Sequence, residues 1–305
     1  MKIAVIGAGG VGGYFGGRLA AAGHDVAFVA RGAHLDALLR DGLIVTSVAG
    51  DLAVRPVQAT GDTREIGEVD AVLLGVKTWQ LADAVAALPP LLGADTAVVS
   101  LQNGVEAPAE VAAVVGKTAV LPGIAKIFAW IEGAGRIRHA GGAASLAFAE
   151  WDNRPSERVR RLRAAFADAG AGVTIVEPAD IWAELWEKFL FVVSFGGLGA
   201  VTGEPIGVLR TRPGTRRLLA DAMTEIGRLA GASGISLADD VVAASLAYVD
   251  QQPEAGTSSL QRDILAGRRS ELEAWTGAVV RLGDRTGTPV PVNRTFYELL
   301  KLRGA

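Results

Sequence analysis

The chain has 305 residues, a formal net charge of −3 and hydrophobic side chains at half of its positions. That length accommodates two substantial cores, and the mildly acidic balance gives no electrostatic footprint for nucleic acid. There is no cysteine, and the three histidines, His24, His34 and His139, are widely separated. Disulfides, a thiolate nucleophile and a zinc centre are therefore not expected, and no metal is.

In chain order, Lys2–Ile6 reads as a strand, Val11–Ala22 as a helix and Asp25–Val29 as a second strand. The N-terminal apolar run carries seven glycines between Gly7 and Gly17, with Arg18 following, which suits a loop better than a signal core. Leu43–Val48 and Leu52–Val54, joined by Ala49-Gly50-Asp51, read as a hairpin. Ala71–Val76 and Ala97–Gln102 are continuously apolar, as in a parallel sheet covered on both faces. Thr78–Ala87 and Val105–Val115 read as helices between them. Residues 119–148 return to β character with glycine turns, Glu157–Ala169 is a charged helix and Gly172–Val176 a last strand. After Glu177-Pro178 the pattern predicts helices over 179–195, 213–233, 238–250, 258–284 and 291–302, because proline disfavours helix at the residue before it and marks a boundary. The expectation is an α/β, Rossmann-like domain over residues 1–178 and an all-α domain over 179–305. The longest uncharged run, Phe189 to Gly203, is too short and glycine-rich to span a bilayer. A cytoplasmic protein without a membrane partner is expected.

Gly7-Ala8-Gly9-Gly10-Val11-Gly12 is a G-x-G-x-x-G set directly after a strand and opening a helix. The glycines permit a tight turn and close approach of a pyrophosphate, and the helix N-terminus supplies amides and dipole to it. The next strand ends at Ala30-Arg31, where an NAD site would carry Asp or Glu. An arginine there suits a 2′-phosphate, so NADP(H) is the expected cofactor. A solvated loop arginine is the plainer alternative. Two more strand ends carry polar clusters, Lys77-Thr78-Trp79-Gln80 and Leu101-Gln102-Asn103-Gly104. Ligands of open α/β sheets sit beyond such ends, which makes Lys77, Gln80 and Asn103 candidate contacts.

Lys188 lies in Ile181-Trp-Ala-Glu-Leu-Trp-Glu-Lys-Phe-Leu-Phe-Val-Val193, in line with Ile181, Leu185 and Val192 at helical spacing. Burying an ammonium is costly unless it is paired or used, and the chain holds six lysines against twenty-four arginines. A lysine kept here suggests a task that arginine cannot perform, such as giving up a proton. A structural i,i+4 pair with Glu184 is the alternative.

Together these segments resemble the ketopantoate reductase (2-dehydropantoate 2-reductase) family. The resemblance also covers Trp186-Glu187-Lys188, Ser258-Ser259-Leu260-Gln261-Arg262-Asp263 and Gly267-Arg268-Arg269-Ser270-Glu271-Leu272-Glu273. The last of these blocks is the most specific, since no Rossmann fold requires it. The resemblance implies a Rossmann domain and a helical domain of the 6-phosphogluconate-dehydrogenase-like kind, with NADPH and a small 2-oxo acid meeting in the cleft between them. It implies that Lys188, as general acid, forms the catalytic set with Glu271 and Asn103, that Glu271 and Ser259 contact substrate, and that Lys77 and Asn103 line the cofactor and substrate site. It also implies a homodimer built on the helical domain. The chemistry agrees, because hydride addition to a ketone builds negative charge on oxygen that an ammonium can stabilise and then protonate.

The chain departs from the family pattern in one respect. Members acting on ketopantoate carry asparagines one and two turns after the lysine, where this chain has Val192 and Gly196. An apolar replacement removes donors and acceptors that a polar substrate would use. Three readings therefore stay open: reduction of 2-dehydropantoate to (R)-pantoate in pantothenate biosynthesis, reduction of a less polar 2-oxo acid or ketone by a paralogue, and an NADPH-binding sensor without turnover.

Overall fold

The first strand, β1 (Lys2–Ile6), starts an apolar run that is buried almost from end to end, and the computed structural model describes what grows around it over residues 1–303. Helix α1 (Gly10–Ala21) follows the glycine loop, then β2 (Asp25–Val29), α2 (Gly32–Asp41), and strands β3 (Leu43–Ser47), β4 (Leu52–Val54) and β5 (Gln58–Thr60). Next come β6 (Val69–Leu74), α3 (Leu81–Ala86), β7 (Leu92–Ser100), α4 (Ala107–Val115) and β8 (Val120–Lys126). The half closes with β9 (Ala129–Gly133), β10 (Arg136–His139), β11 (Ser145–Phe148), α5 (Glu157–Asp168) and β12 (Thr174–Val176).

The strands form an eight-stranded sheet in the order β12-β11-β8-β7-β6-β1-β2-β5 and a four-stranded one in the order β4-β3-β10-β9. In the large sheet every neighbouring pair is parallel except β8 with β11. That accounts for the unbroken apolar runs: each central strand is covered on both faces, one by the cluster around Phe15, Phe28 and Phe166, the other by the cluster around Leu81, Leu91 and Val111. The expected hairpin exists, β3 pairing antiparallel with β4, and it belongs to the small sheet rather than the large one.

The remaining elements are helices: α6 (Ile181–Thr202), α7 (Ile206–Thr211), α8 (Pro213–Ala232), α9 (Val241–Gln251), α10 (Ser259–Leu265), α11 (Thr276–Thr286) and α12 (Pro291–Lys301). An α/β, Rossmann-like unit and an all-α unit are therefore both present. By packing, one unit comprises residues 1–102 and 107–181, and the other residues 103–106 and 182–305. The chain thus lends the four residues Asn103–Glu106 to the helical unit, whose core includes Val105.

Several expectations need correction. The segment 258–284 is not one helix: α10 stops at Leu265, Gly267 adopts φ +63°, and helix resumes only at Thr276. A left-handed residue cannot be continued as α-helix, and glycine makes that conformation accessible. Helices α2 and α7 and strand β5 were not expected. The strands read as Ala71–Val76 and Ala97–Gln102 end two residues early, at Leu74 and Ser100, so the polar clusters lie after them, the first winding into a 3₁₀ turn at Thr78–Gln80 and the second a loop. The run Phe189–Gly203 lies, up to Thr202, within a longer helix. Among the described residues α6 alone is long and apolar enough to cross a membrane, yet 67% of its most apolar window is buried within the protein. Trp186, Phe189, Leu190, Val193 and Leu198 pack into the helical core, as in an internal helix.

Candidate active site

In the α/β unit the glycine loop joins β1 to α1, and its glycines are required for different reasons. Gly7 has φ +93°, and a Cβ there would stand 2.9 Å from the Val76 backbone nitrogen. A Cβ at Gly12 would stand 2.2 Å from the Gly7 carbonyl oxygen, and one at Gly10 would stand 2.5 Å from the carbonyl oxygen of Ala129 on β9. Each of these three would collide with backbone. Gly9 differs: φ is −80° and the nearest atom to its missing Cβ is a methyl of Ile131 at 4.0 Å. The protein itself leaves room for a side chain at Gly9, which is the room a pyrophosphate needs. The first intrahelical bond of α1 runs from Gly13 N–H to the Gly9 carbonyl at 2.7 Å, no side chain caps the helix, and its first turn carries no acid. The leading amides and the positive end of the dipole are therefore not answered by a protein carboxylate. Ala8 is buried and Val11 half-buried within this turn. These residues fit a bound dinucleotide.

Arg31 is exposed, in extended backbone just before α2. Lys77 follows β6, half-buried, with its ammonium 5.6 Å from the centre of the Trp79 ring, and Gln80 is exposed at the start of α3. Nearby, Gln102 is fixed by bonds from its amide to the carbonyls of Leu74 and Val76, at 2.9 and 3.2 Å, and from Ser100 Oγ to its Oε1 at 2.8 Å. Those bonds hold together the two loops that leave β6 and β7.

In the helical unit Lys188 is half-buried on α6, where Ile181 and Leu185 are buried and Val192 is half-buried. Its Nζ donates to Oδ1 of Asn103 at 2.7 Å. Two residues 85 positions apart, singled out separately from a helix and a strand end, are thus in direct contact. Glu271 is 4% exposed and lies in the irregular segment between α10 and α11, not on a solvated helix face. Burial of that carboxylate means that it is held or used rather than merely solvated. Ser259 is the half-buried first residue of α10. The buried neighbour Ser258 caps the helix, its Oγ accepting from Gln261 N–H at 3.0 Å. No group of three or more His, Asp or Glu gathers at metal-binding distance among the described residues.

Two features had no expectation from the sequence. The first is at Gly196, where a Cβ would stand 2.6 Å from the six-membered ring of Trp275 and 3.2 Å from Ser258 Oγ. The indole, 2% exposed, fills the space that any side chain at 196 would enter. The second is a cluster of Glu106, Arg281, Arg285, Glu273 and Tyr297. Arg281 donates to Glu106 and to Glu273, Arg285 to Glu106, and Tyr297 OH to Glu273. Burial opposes the charge of Arg281, but the bond and charge of Glu106 outweigh it and raise the guanidinium pKa above its ordinary value. Burial, together with the bond to Glu273, also pushes the Tyr297 phenol up.

Comparison with known proteins identifies the whole chain. Residues 3–153 match the family profile "Ketopantoate reductase PanE/ApbA" and residues 180–304 its C-terminal counterpart. The chain belongs to the ketopantoate reductase family. It is accordingly an oxidoreductase acting on a CH–OH group. The 2-dehydropantoate 2-reductase of Halobacterium salinarum is 32% identical, with 99% of this chain and 98% of that one covered. An uncharacterized oxidoreductase, YkpB of Bacillus subtilis, is 27% identical over 99% of this chain and 98% of its own. Among solved structures, a PanE/ApbA family ketopantoate reductase from Ralstonia eutropha superposes with a TM-score of 0.89 at 34% identity, covering 99% and 98% of the two chains. The family profiles leave out only residues 1–2, 154–179 and 305 of this member.

Proposed function

We propose that the protein reduces a 2-oxo acid to the 2-hydroxy acid with NADPH, 2-dehydropantoate to (R)-pantoate being the leading reaction. The observation that carries this reading is the 2.7 Å bond from Lys188 Nζ to Asn103 Oδ1 in a chain of this family. When bound, the nicotinamide supplies the hydride that reaches the carbonyl carbon. Lys188 holds the carbonyl oxygen through its ammonium, stabilises the charge that builds there and gives that oxygen its proton. Asn103 accepts from the ammonium and so fixes where the proton is delivered. Buried Glu271 accepts a hydroxyl of the substrate or orients Lys188, and Ser259 and Lys77 contact the acid. Gly7, Ala8, Gly9, Gly10, Val11 and Gly12 hold the pyrophosphate, Arg31 the 2′-phosphate, and Lys77, Gln80 and Asn103 line the same cofactor. In this reading residues 1–178 serve the cofactor and residues 179–305 the substrate and a homodimer, in the cytoplasm and in pantothenate synthesis.

One observation favours a second reading, a less polar acid. Trp275 leaves no room at Gly196 for the asparagine of ketopantoate-reducing relatives, and Val192 offers no hydrogen bond at the position one turn earlier. A site lacking those bonds discriminates weakly in favour of a polar substrate.

The test is to follow NADPH and NADH absorbance with the purified protein and a panel of 2-oxo acids. NADPH consumption with ketopantoate far above the rest is the expected result. Turnover restricted to acids with apolar side chains would transfer the assignment to the second reading. Tight NADPH binding with no consumption would overturn both and leave a sensor.

A further inference from the structure

Asn103 and Glu271 both sit on irregular backbone, and something must hold those two segments in register with Lys188 on α6. Glu106 lies three residues after Asn103, and Glu273 two residues after Glu271. Arg281 on α11 reaches both. Its Nη2 donates to Glu106 Oε2 at 2.8 Å and to the backbone carbonyl of Glu273 at 2.8 Å, and its Nη1 donates to Glu273 Oε2 at 3.2 Å. Arg285, one turn on, donates to the other oxygen of Glu106 at 3.2 Å, and Tyr297 OH from α12 braces Glu273 at 2.9 Å. Gly277 makes the space: a Cβ there would stand 2.9 Å from Glu273 Oε2 and 3.2 Å from Arg281 Nη1. Between Asn103 and Glu106, Val105 is anchored in the helical core, and Gly104, at φ +120°, passes beside the Ala274 carbonyl.

Stability alone does not explain this arrangement. The Arg281 side chain is 46% exposed, and an ion pair reaching solvent in this way adds little to stability. What the planar fork of arginine does here is join two loop segments by three bonds in fixed directions, which a lysine cannot reproduce.

We propose that Arg281 is a positioning residue: by tying Glu106 to Glu273 it holds the Asn103 segment against the Glu271 segment and keeps Asn103 on the ammonium of Lys188. This rests on the reductase reading above. Displacing a reacting group by about 1 Å costs on the order of 100-fold in rate, so a modest slip of Asn103 is enough to be measured.

The experiment compares wild type, Arg281→Ala, Arg281→Lys, Asn103→Ala and the Arg281→Ala/Asn103→Ala double variant. Arg281→Ala is expected to lower kcat about 10- to 100-fold, with smaller changes in KM for the acid and in NADPH affinity, and with melting temperature little changed. Arg281→Lys should recover part of the loss. Because Arg281 acts through Asn103, its removal from the Asn103→Ala protein should cost less than threefold, the non-additivity of residues that work as a unit. Full additivity, or an Arg281→Ala enzyme with wild-type kcat, would overturn the proposal. A crystal structure of Arg281→Ala decides the matter independently of turnover: Asn103 Oδ1 still at hydrogen-bond distance from Lys188 Nζ refutes it. If wild type reduces no 2-oxo acid, the reductase reading fails by itself, and the crystal structure still judges the tie.

Discussion

At the scale of single residues, Lys188 stands out in the sequence and in the structure. Its place in an apolar helix and the scarcity of lysine marked it out, and the Asn103 amide oxygen accepts a bond from its ammonium at 2.7 Å. Lys188→Ala is therefore expected to lower kcat about 100-fold or more, the scale of a lost general acid, while NADPH affinity measured by fluorescence titration stays near wild type. A fully active Lys188→Ala enzyme would remove the assignment. Glu271 marks the opposite case. In the sequence it looks like any acid in a charged stretch, and only the break in the helix, invisible to periodicity, turns it inward.

At the scale of elements, strands were easier to read than helices. Continuous apolar runs are enough to identify strands buried on both faces, and β1 and β2 fall where the pattern places them. Helix α2 escaped although Leu35, Leu38 and Leu39 lie at helical spacing, because it is only ten residues long and starts at Gly32, with φ +55°. The small sheet supplies a pH-dependent element. His139 on β10 is buried against the Tyr14 ring, with Nδ1 2.8 Å from Ser47 Oγ on β3. Burial, with the charge of Arg18 nearby, depresses the imidazole pKa below its ordinary value. The unfolded chain takes up a proton near pH 6.5, while the folded chain resists until a lower pH. Folding stability is thus fully present above about pH 6.5 and is lost as pH falls toward the native pKa. Melting temperatures measured from pH 7.5 down to 5 should fall, and His139→Gln should flatten that slope. An unchanged slope in the variant would show that the histidine is not its source.

At the scale of the whole molecule, the chain passes between the two units three times, after Gln102, after Glu106 and after Ile181. The sequence places a single boundary, at Pro178, three residues from the last of these. The excursion of Asn103–Glu106 leaves no compositional mark, because what makes it part of the helical unit is contact with residues far along the chain. It follows that residues 182–305 expressed alone lack the core side chain of Val105 and the partner of Arg281 and Arg285. That fragment is expected to melt at least about 4 °C below one carrying residues 101–108 on a flexible linker, and equal melting temperatures would contradict the assignment of those residues. The glycine loop has a consequence of a different kind. Gly7, Gly10 and Gly12 are held by collisions with the protein's own backbone, so a descendant that drifted away from its cofactor would still inherit them. In such a lineage Gly9 would be the first to mutate, and its identity, more than the surrounding fingerprint, would record whether the ancestral ligand is still in use.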